Sequence, residues 1–107
     1  MNNSKIVGLG KYLPDNIVSN ADLEKIMDTT DAWIQERTGI RERRHIVKGS
    51  DDTTFTMGVK ASKIAIERAG MTSKEIDLIL FATLSPDYYF PGSGVLVQDA
   101  LDIPDCP

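Results

Sequence analysis

The feature that most constrains the fold is an almost uninterrupted apolar run, residues 76–83 (IDLILFAT), which follows a long segment of helical spacing. A run of this length and composition predicts a strand buried on both faces of a sheet. In the preceding segment, residues 53–69, small and apolar side chains recur along one stripe, and Gly70 supplies a stop. Residues 5–9 (KIVGL) predict a further strand, so the pattern indicates a right-handed βαβ unit in an α/β fold.

Capping residues and glycine stops predict four shorter helices. Ser19 or Asn20 is expected to cap the first of them. The second is expected to begin just after Thr30 and to stop at Gly39, and Ser73 is expected to cap a single turn. The predicted helical segments are residues 20–27, 31–37, 74–75 and 95–101.

The composition and charge of the chain limit its location and its partners. A chain of 107 residues with 41% hydrophobic content is enough for one compact domain or part of one. Its net charge is −4, although residues 37–48 carry five basic side chains against one acidic. This asymmetry argues against a nucleic-acid-binding domain and favours a local anion site, with a solvated charged loop as the alternative. No membrane span, signal sequence or disulfide pair is expected, so the predicted location is the cytoplasm.

The residue types of several common sites are missing or misplaced. Gly8 and Gly10 follow a predicted strand, but Leu13 stands where the dinucleotide fingerprint requires glycine. One cysteine and one histidine cannot form a closed zinc site of four protein ligands, so no metal is expected. Cys106 is far from any predicted helix N-terminus or base, and His45 lies in a charged loop. Neither side chain is expected to act in catalysis.

Trp33 and Arg37 form the most specific pair of side chains in the cationic part of the chain. They are four residues apart on a predicted helix, so their side chains are expected to share one face. An indole plane beside a guanidinium suits a ligand with an aromatic ring and a phosphate. The alternative is a partly buried Trp33 with Arg37 in a surface ion pair, and spacing alone favours that alternative.

Longer motifs add to this pair. The chain contains NADL at residues 20–23, TDAWI at 30–34 and ERTGIRER at 36–43, in that order. Further matching pieces are GLGKYLP at 8–14, MG at 57–58, AT at 82–83, and FP at 90–91 followed by Gln98. Across essentially the whole chain, this combination resembles the N-terminal region of β-ketoacyl-acyl carrier protein synthase III.

The resemblance implies a partial thiolase-like fold and an acyltransferase. Residues 1–107 would be the first part of the N-terminal domain of a layered α-β-α-β-α structure, with the rest of that domain and the C-terminal domain absent. Such an enzyme takes an acyl group from acyl-CoA and condenses it with malonyl-acyl carrier protein in fatty-acid chain initiation. The catalytic Cys, His and Asn would lie downstream of Pro107, so this chain alone is expected to be inactive. Acyl-CoA is implied as a substrate, and no cofactor is implied.

The same resemblance implies roles for four residues of this chain. Trp33 would stack on the adenine of coenzyme A, Thr29 would hydrogen-bond near that base, and Arg37 would approach the phosphates. Phe90 would reach across a homodimer and close the acyl pocket of the other subunit. Around Phe90 the sequence departs from the commoner family pattern and leaves the preferred primer open, at Leu84, Asp87, Tyr88 and Tyr89.

Other functions fit the same residues. A sister condensing enzyme of secondary metabolism or of long-chain acyl condensation shares much of the pattern. A stand-alone module that binds coenzyme A or a carrier protein is an alternative from another class. For the enzyme, the partners considered include a companion chain that carries the missing remainder. The apolar run at residues 76–83 favours the enzyme, because a lone half-sheet leaves its faces and edges uncovered.

Overall fold

The computed structural model describes residues 3–105, and the chain divides into two compact units. We call residues 13–50 the hairpin unit, and residues 3–12 together with 51–105 the helical unit. The prediction that Cys106 does not act in catalysis concerns a residue outside the described part of the chain. No helix in the described part of the chain is long and apolar enough to cross a membrane.

A short antiparallel ribbon frames the hairpin unit. Strand β1 (Ile17–Ser19) pairs with strand β2 (Glu42–Arg44), and Val18 lies opposite Arg43. Between the strands lie helix α1 (Asn20–Glu24) and helix α2 (Asp31–Thr38). The predicted second helix is confirmed, whereas α1 ends three residues before the expected Met27. Motifs and apolar spacing did not predict the ribbon, because both strands are only three residues long and β2 is wholly charged.

The helical unit is built on helix α3 (Thr54–Ala69), which confirms the helix predicted for residues 53–69. Thr53 caps its first turn by accepting a hydrogen bond from the Thr56 amide, and Gly70 ends it in the left-handed region with a φ of 66°. A short 3-10 helix (Ser73–Glu75) and helix α4 (Ser93–Ala100) follow. These two elements lie close to the predicted single turn and to the predicted helix at 95–101.

Helix α3 presents small side chains to the N-terminal segment of the helical unit. A Cβ atom added at Gly8 would collide with the Ala65 carbonyl oxygen, and one added at Gly10 would collide with that of Ala61. Arg68 also donates to the Leu9 carbonyl oxygen over 3.1 Å. The predicted small-residue stripe therefore serves close packing of an extended segment on α3.

The two long strands predicted from the apolar runs are wrong as regular strands. Residues 5–9 and 76–83 lie outside regular secondary structure, and the only sheet among residues 3–105 is the ribbon β1–β2. A strand needs a hydrogen-bonded neighbour, and the described chain offers none to either segment.

Burial along residues 78–83 alternates with the period of an extended chain. Ile79 and Phe81 pack against a small core of Val97, Leu101 and Ile103. On the other face Leu80 is 87% exposed. Within the described residues the run is therefore partly buried on one face and exposed on the other.

We expect Gly10→Ser to lower the stability of the protein, because its Cβ would strike the α3 backbone. Overpacking of this kind costs about 1 to 3 kcal/mol, so the urea midpoint of unfolding should fall clearly. Gly92→Ser is the matched control, since nothing lies within 4 Å of a Cβ added there and serine suits the helix N-cap that Gly92 occupies. Equal midpoints for the two variants would contradict the close packing of residues 8–10 on α3.

Candidate functional site

Helix α2 carries the predicted ligand-binding pair, and its two ends are well defined. Thr30 Oγ1 accepts a hydrogen bond of 3.2 Å from the Trp33 amide, and Gly39 closes the helix in the left-handed region at φ 70°. Ile34 is the one buried side chain of the helix and anchors it to the hairpin unit. Because Ile34 takes the inner face, Trp33 and Arg37 are left on the outer one.

Trp33 and Arg37 contact each other as the spacing predicts. The Arg37 guanidinium carbon lies 5.9 Å from the centre of the Trp33 ring, which is a cation–π contact. Trp33 is 54% exposed, so the described residues leave about half of a large aromatic side chain in contact with solvent. The half-buried ring fits both interpretations, but among the described residues Arg37 contacts the Trp33 ring and forms no ion pair.

Thr29 lies beside Trp33 in an open depression of about 260 Å³, lined by Asp28, Thr29, Thr30 and Trp33. The Thr29 hydroxyl oxygen is buried and has no hydrogen-bond partner among the described residues. A hydroxyl can both donate and accept, and a buried polar atom without a partner is costly. We call Thr29, Trp33 and Arg37 the α2 site, because one helix and its N-terminal turn bring together an aromatic ring, a hydroxyl and a cation.

The cationic stretch at residues 37–48 is not one continuous anion site, which corrects part of the sequence interpretation. Arg43 donates to Asn20 Oδ1 over 2.7 Å and to the Val18 carbonyl oxygen over 3.3 Å. Arg44 donates to the Pro14 carbonyl oxygen over 3.0 Å. Both guanidinium groups therefore hold the hairpin unit together, and Arg37 is the cation of this stretch that lies beside Trp33.

Two further residues considered from the sequence do not belong to α2 or its N-terminal turn. Phe90 belongs to the helical unit and is 92% exposed. His45 is exposed and its backbone amide donates to the Asn16 carbonyl oxygen, so its described contact is structural. Within residues 3–105 no group of three or more His, Cys, Asp or Glu side chains is placed to hold a metal ion.

The loop that carries Phe90 is tied to the start of α3. The Asp87 carboxylate accepts hydrogen bonds from the Thr54 amide over 3.1 Å and from the Phe55 amide over 2.6 Å. The Thr54 hydroxyl donates to the Ser85 carbonyl oxygen over 2.7 Å. An acidic side chain at a helix N-terminus satisfies free amides and is favoured by the helix dipole. Asp87 therefore anchors the loop, a role that motif reading did not identify.

Asn20 is the other residue whose importance the sequence did not reveal. It was expected only to cap or begin a helix, yet it is 1% exposed, and both the nitrogen and the oxygen of its side-chain amide are hydrogen-bonded. Its amide nitrogen donates to Asp31 Oδ1 over 2.7 Å and to the Ile40 carbonyl oxygen over 2.8 Å. Asn20 lies in the NADL block, but one sequence offers no signal that separates a buried asparagine from an exposed cap.

Comparison with known proteins gives close likenesses in sequence and in structure. A β-ketoacyl-[acyl-carrier-protein] synthase III from Coxiella burnetii (strain CbuK_Q154) is 50% identical over 103 residues, which is 96% of this chain and 32% of that protein. The crystal structure of 3-oxoacyl-[acyl-carrier-protein] synthase III from Aquifex aeolicus VF5 matches with a TM-score of 0.90 and 44% identity, covering 97% of this chain and 33% of that one. The priming β-ketosynthase of the R1128 polyketide biosynthetic pathway matches with a TM-score of 0.89 and 36% identity, covering 96% of this chain and 30% of that one.

No protein-family model matches the chain. The chain spans about a third of the length of the curated relatives that it matches. Within that third, the resemblance inferred from the motifs is confirmed, and so is the partial thiolase-like α/β fold.

We expect part of the stability of the hairpin unit to depend on pH through Asp31. Hydrogen bonds from Asn20 and then from Gln35 hold the pKa of Asp31 below its usual range. A lowered folded-state pKa stabilises the protein fully above the unfolded value of about 3.9, and the contribution is lost as pH falls through the folded value. The difference in unfolding free energy between the wild type and Asp31→Asn should therefore shrink between pH 7 and pH 2.

Urea unfolding across that pH range measures this difference. Glu36→Gln removes one negative charge from an exposed position on the same helix and controls for net charge. A difference for Asp31→Asn that stays constant with pH would show that the bonds from Asn20 and Gln35 do not favour the charged carboxylate.

Proposed function

We propose that this chain supplies the coenzyme A-facing surface of a β-ketoacyl-acyl carrier protein synthase III. The complete enzyme would be an acyltransferase that condenses an acyl-CoA primer with malonyl-acyl carrier protein to a 3-oxoacyl product in fatty-acid chain initiation. Curated relatives with that name match at 48 to 53% identity, which supports fatty-acid synthesis. The likeness to enzymes also favours this function over a stand-alone binding module.

The observation that carries the proposal is the α2 site. Its exposed Trp33 ring offers a flat apolar surface to an adenine, and stacking there would remove apolar area from water. Arg37 lies beside the ring and offers a forked donor for phosphate oxygens. Thr29 lines the same depression as Trp33, and its buried hydroxyl, which has no partner among the described residues, would gain a hydrogen bond from a base that reaches it. Ring, phosphate and polar base edge are the parts of the nucleotide end of coenzyme A.

In this proposal the chain binds substrate, and the reacting groups lie elsewhere in the enzyme. A cysteine thiolate attacks the thioester carbonyl of acyl-CoA, and coenzyme A leaves as its thiolate. Loss of carbon dioxide from malonyl-acyl carrier protein then gives a carbanion equivalent, which attacks the acyl-enzyme and releases the cysteine. The resemblance assigns that cysteine, and the histidine and asparagine that assist, to sequence downstream of Pro107. The reaction needs no metal or cofactor, and acyl-CoA is a substrate.

The proposal includes a homodimer and a cytoplasmic location. Phe90 is 92% exposed in the helical unit, and an aromatic side chain in that state suits an interface. We therefore assign Phe90 to the acyl pocket of the other subunit, as the resemblance implies. Tyr89 and Tyr88 beside it are also exposed and add to the aromatic character of this loop.

We expect Trp33→Ala and Arg37→Ala in the complete enzyme to raise KM for acetyl-CoA while kcat changes little. Loss of a stacked ring or a charge-assisted bond at a surface site costs about 1 to 2 kcal/mol, which corresponds to a roughly five- to thirtyfold rise. Steady-state kinetics with varied acetyl-CoA measure the effect. Glu36→Gln, on the same helix, is the control, and unchanged KM in both alanine variants would remove coenzyme A from the α2 site.

We expect Phe90→Ala to shift primer preference toward longer acyl chains, because a smaller side chain would leave more room in the acyl pocket. Competition between acetyl-CoA and hexanoyl-CoA, read by mass spectrometry of the products, gives the ratio of kcat/KM values. Tyr89→Ala is the matched control, since Tyr89 is the neighbouring aromatic and is 98% exposed. Equal ratios for the wild type and Phe90→Ala would contradict the pocket assignment.

A further inference from the structure

Both N–H donors and the amide oxygen of the Asn20 side chain are hydrogen-bonded inside the hairpin unit. Both N–H groups of its amide are donated, to Asp31 Oδ1 and to the Ile40 carbonyl oxygen. Its amide oxygen accepts from Arg43 Nη2 over 2.7 Å. Its backbone amide donates to the Arg41 carbonyl oxygen over 3.1 Å. A fully bonded amide that is 1% exposed holds its neighbours firmly, because breaking any bond would strand a buried polar group.

These bonds join the parts of the chain on either side of the α2 site. Asp31 is the first residue of α2, and Ile40 follows the Gly39 that ends it, so one side chain holds both flanks of the helix. Arg43 belongs to β2 and also donates to the Val18 carbonyl oxygen of β1. The position of α2 relative to the ribbon is therefore set through Asn20.

The chemistry of the three side chains requires an amide at the centre. Asp31 needs a donor and Arg43 needs an acceptor, and an amide offers both from one planar group. Asn20 is also the first cause of the lowered pKa of Asp31, and Gln35 is the second. An aspartate at position 20 would still accept from Arg43, but it would set a second carboxylate against Asp31.

The network acts on the residues of the α2 site through the backbone. Thr29 comes two positions before Asp31 in the chain, and Trp33 comes two positions after it. Asp31 is further fixed by its own amide, which donates to Glu24 Oε1. A displacement of Asp31 would move the Thr29 hydroxyl and the Trp33 ring together.

We propose that Asn20, held by Arg43, is a positioning residue for coenzyme A binding that sets the geometry of the α2 site without touching the ligand. The inference rests on the proposed function, because it takes coenzyme A as the ligand of that site. It assigns a new role to Asn20, which the sequence predicted as a helix cap, and to Arg43, which the sequence predicted as part of an anion site. Its effect is on substrate binding and leaves the chemical step unchanged.

The test uses the complete enzyme and the variants Asn20→Asp and Asn20→Asp/Asp31→Asn. For Asn20→Asp we expect a roughly tenfold rise in KM for acetyl-CoA, with kcat within about twofold of wild type. The double variant exchanges the two side chains and restores a donor facing an acceptor between positions 20 and 31. The Ile40 carbonyl oxygen still lacks its donor, so KM should recover only in part, to about threefold to fivefold above wild type. Isothermal titration with coenzyme A gives the same comparison without turnover.

Arg43→Lys keeps the test decisive if Asn20→Asp does not fold. A lysine keeps the charge but cannot bond Asn20 and the Val18 carbonyl oxygen as a fork, so KM should rise about threefold to fivefold. The exposed Lys48→Arg is the control for a change of cation type. Wild-type KM in folded Asn20→Asp or in Arg43→Lys would overturn the inference, as would a double variant as impaired as Asn20→Asp.

The outcomes also separate this inference from the proposed function. If Trp33→Ala raises KM while Asn20→Asp and Arg43→Lys do not, coenzyme A binds at the α2 site and Asn20 does not position it. If Trp33→Ala and Arg37→Ala leave coenzyme A affinity unchanged, the proposed function of the site fails first, and the inference is overturned with it.

Discussion

The hairpin unit depends on one buried amide placed between a cation and a carboxylate. The Asn20 side chain accepts a hydrogen bond from the Arg43 guanidinium and donates one to the Asp31 carboxylate. A neutral amide therefore links a positive and a negative side chain. The apolar contribution of the unit is small, since Ile34 is its one buried hydrophobic side chain. Polar bonds are directional, and they fix positions more sharply than a few apolar contacts do. A ligand site on an eight-residue helix depends on such positional control.

The helical unit is stabilised in a different way. Its buried apolar side chains, Val97, Leu101 and Ile103, form a small cluster to which α3 contributes Phe55, Val59 and Ile66. One face of residues 76–83 completes that cluster and the other faces solvent. An exposed apolar face on an unpaired extended segment is a ready template for another strand, which agrees with a chain that spans about a third of its curated relatives.

The sequence predicted helices well and strands poorly, for physical reasons. Helix α3 is set by local signals, a threonine cap at Thr53 and a glycine stop at Gly70, and both are visible in the sequence. Residues 76–83 have the composition of a strand, but a strand exists only with a partner, and pairing is not a local property. At the site, the four-residue spacing was enough to place Arg37 over Trp33. Arg43 bonds Asn20 and Val18, which lie more than twenty positions away in the sequence. No local pattern encodes these bonds or the burial of Asn20.

The carboxylate of Asp87 fixes the loop that carries Phe90 to the start of α3. The Asp87 carboxylate accepts hydrogen bonds from the first amides of α3, so the position of the loop that carries Phe90 depends on the N-terminus of this helix. If Phe90 limits the length of the acyl chain, then Thr54 and Phe55 influence that limit through the loop without contacting the substrate. Substitutions at the N-terminus of α3 could then change the range of primers that such an enzyme accepts without any change in the side chains that line the acyl pocket.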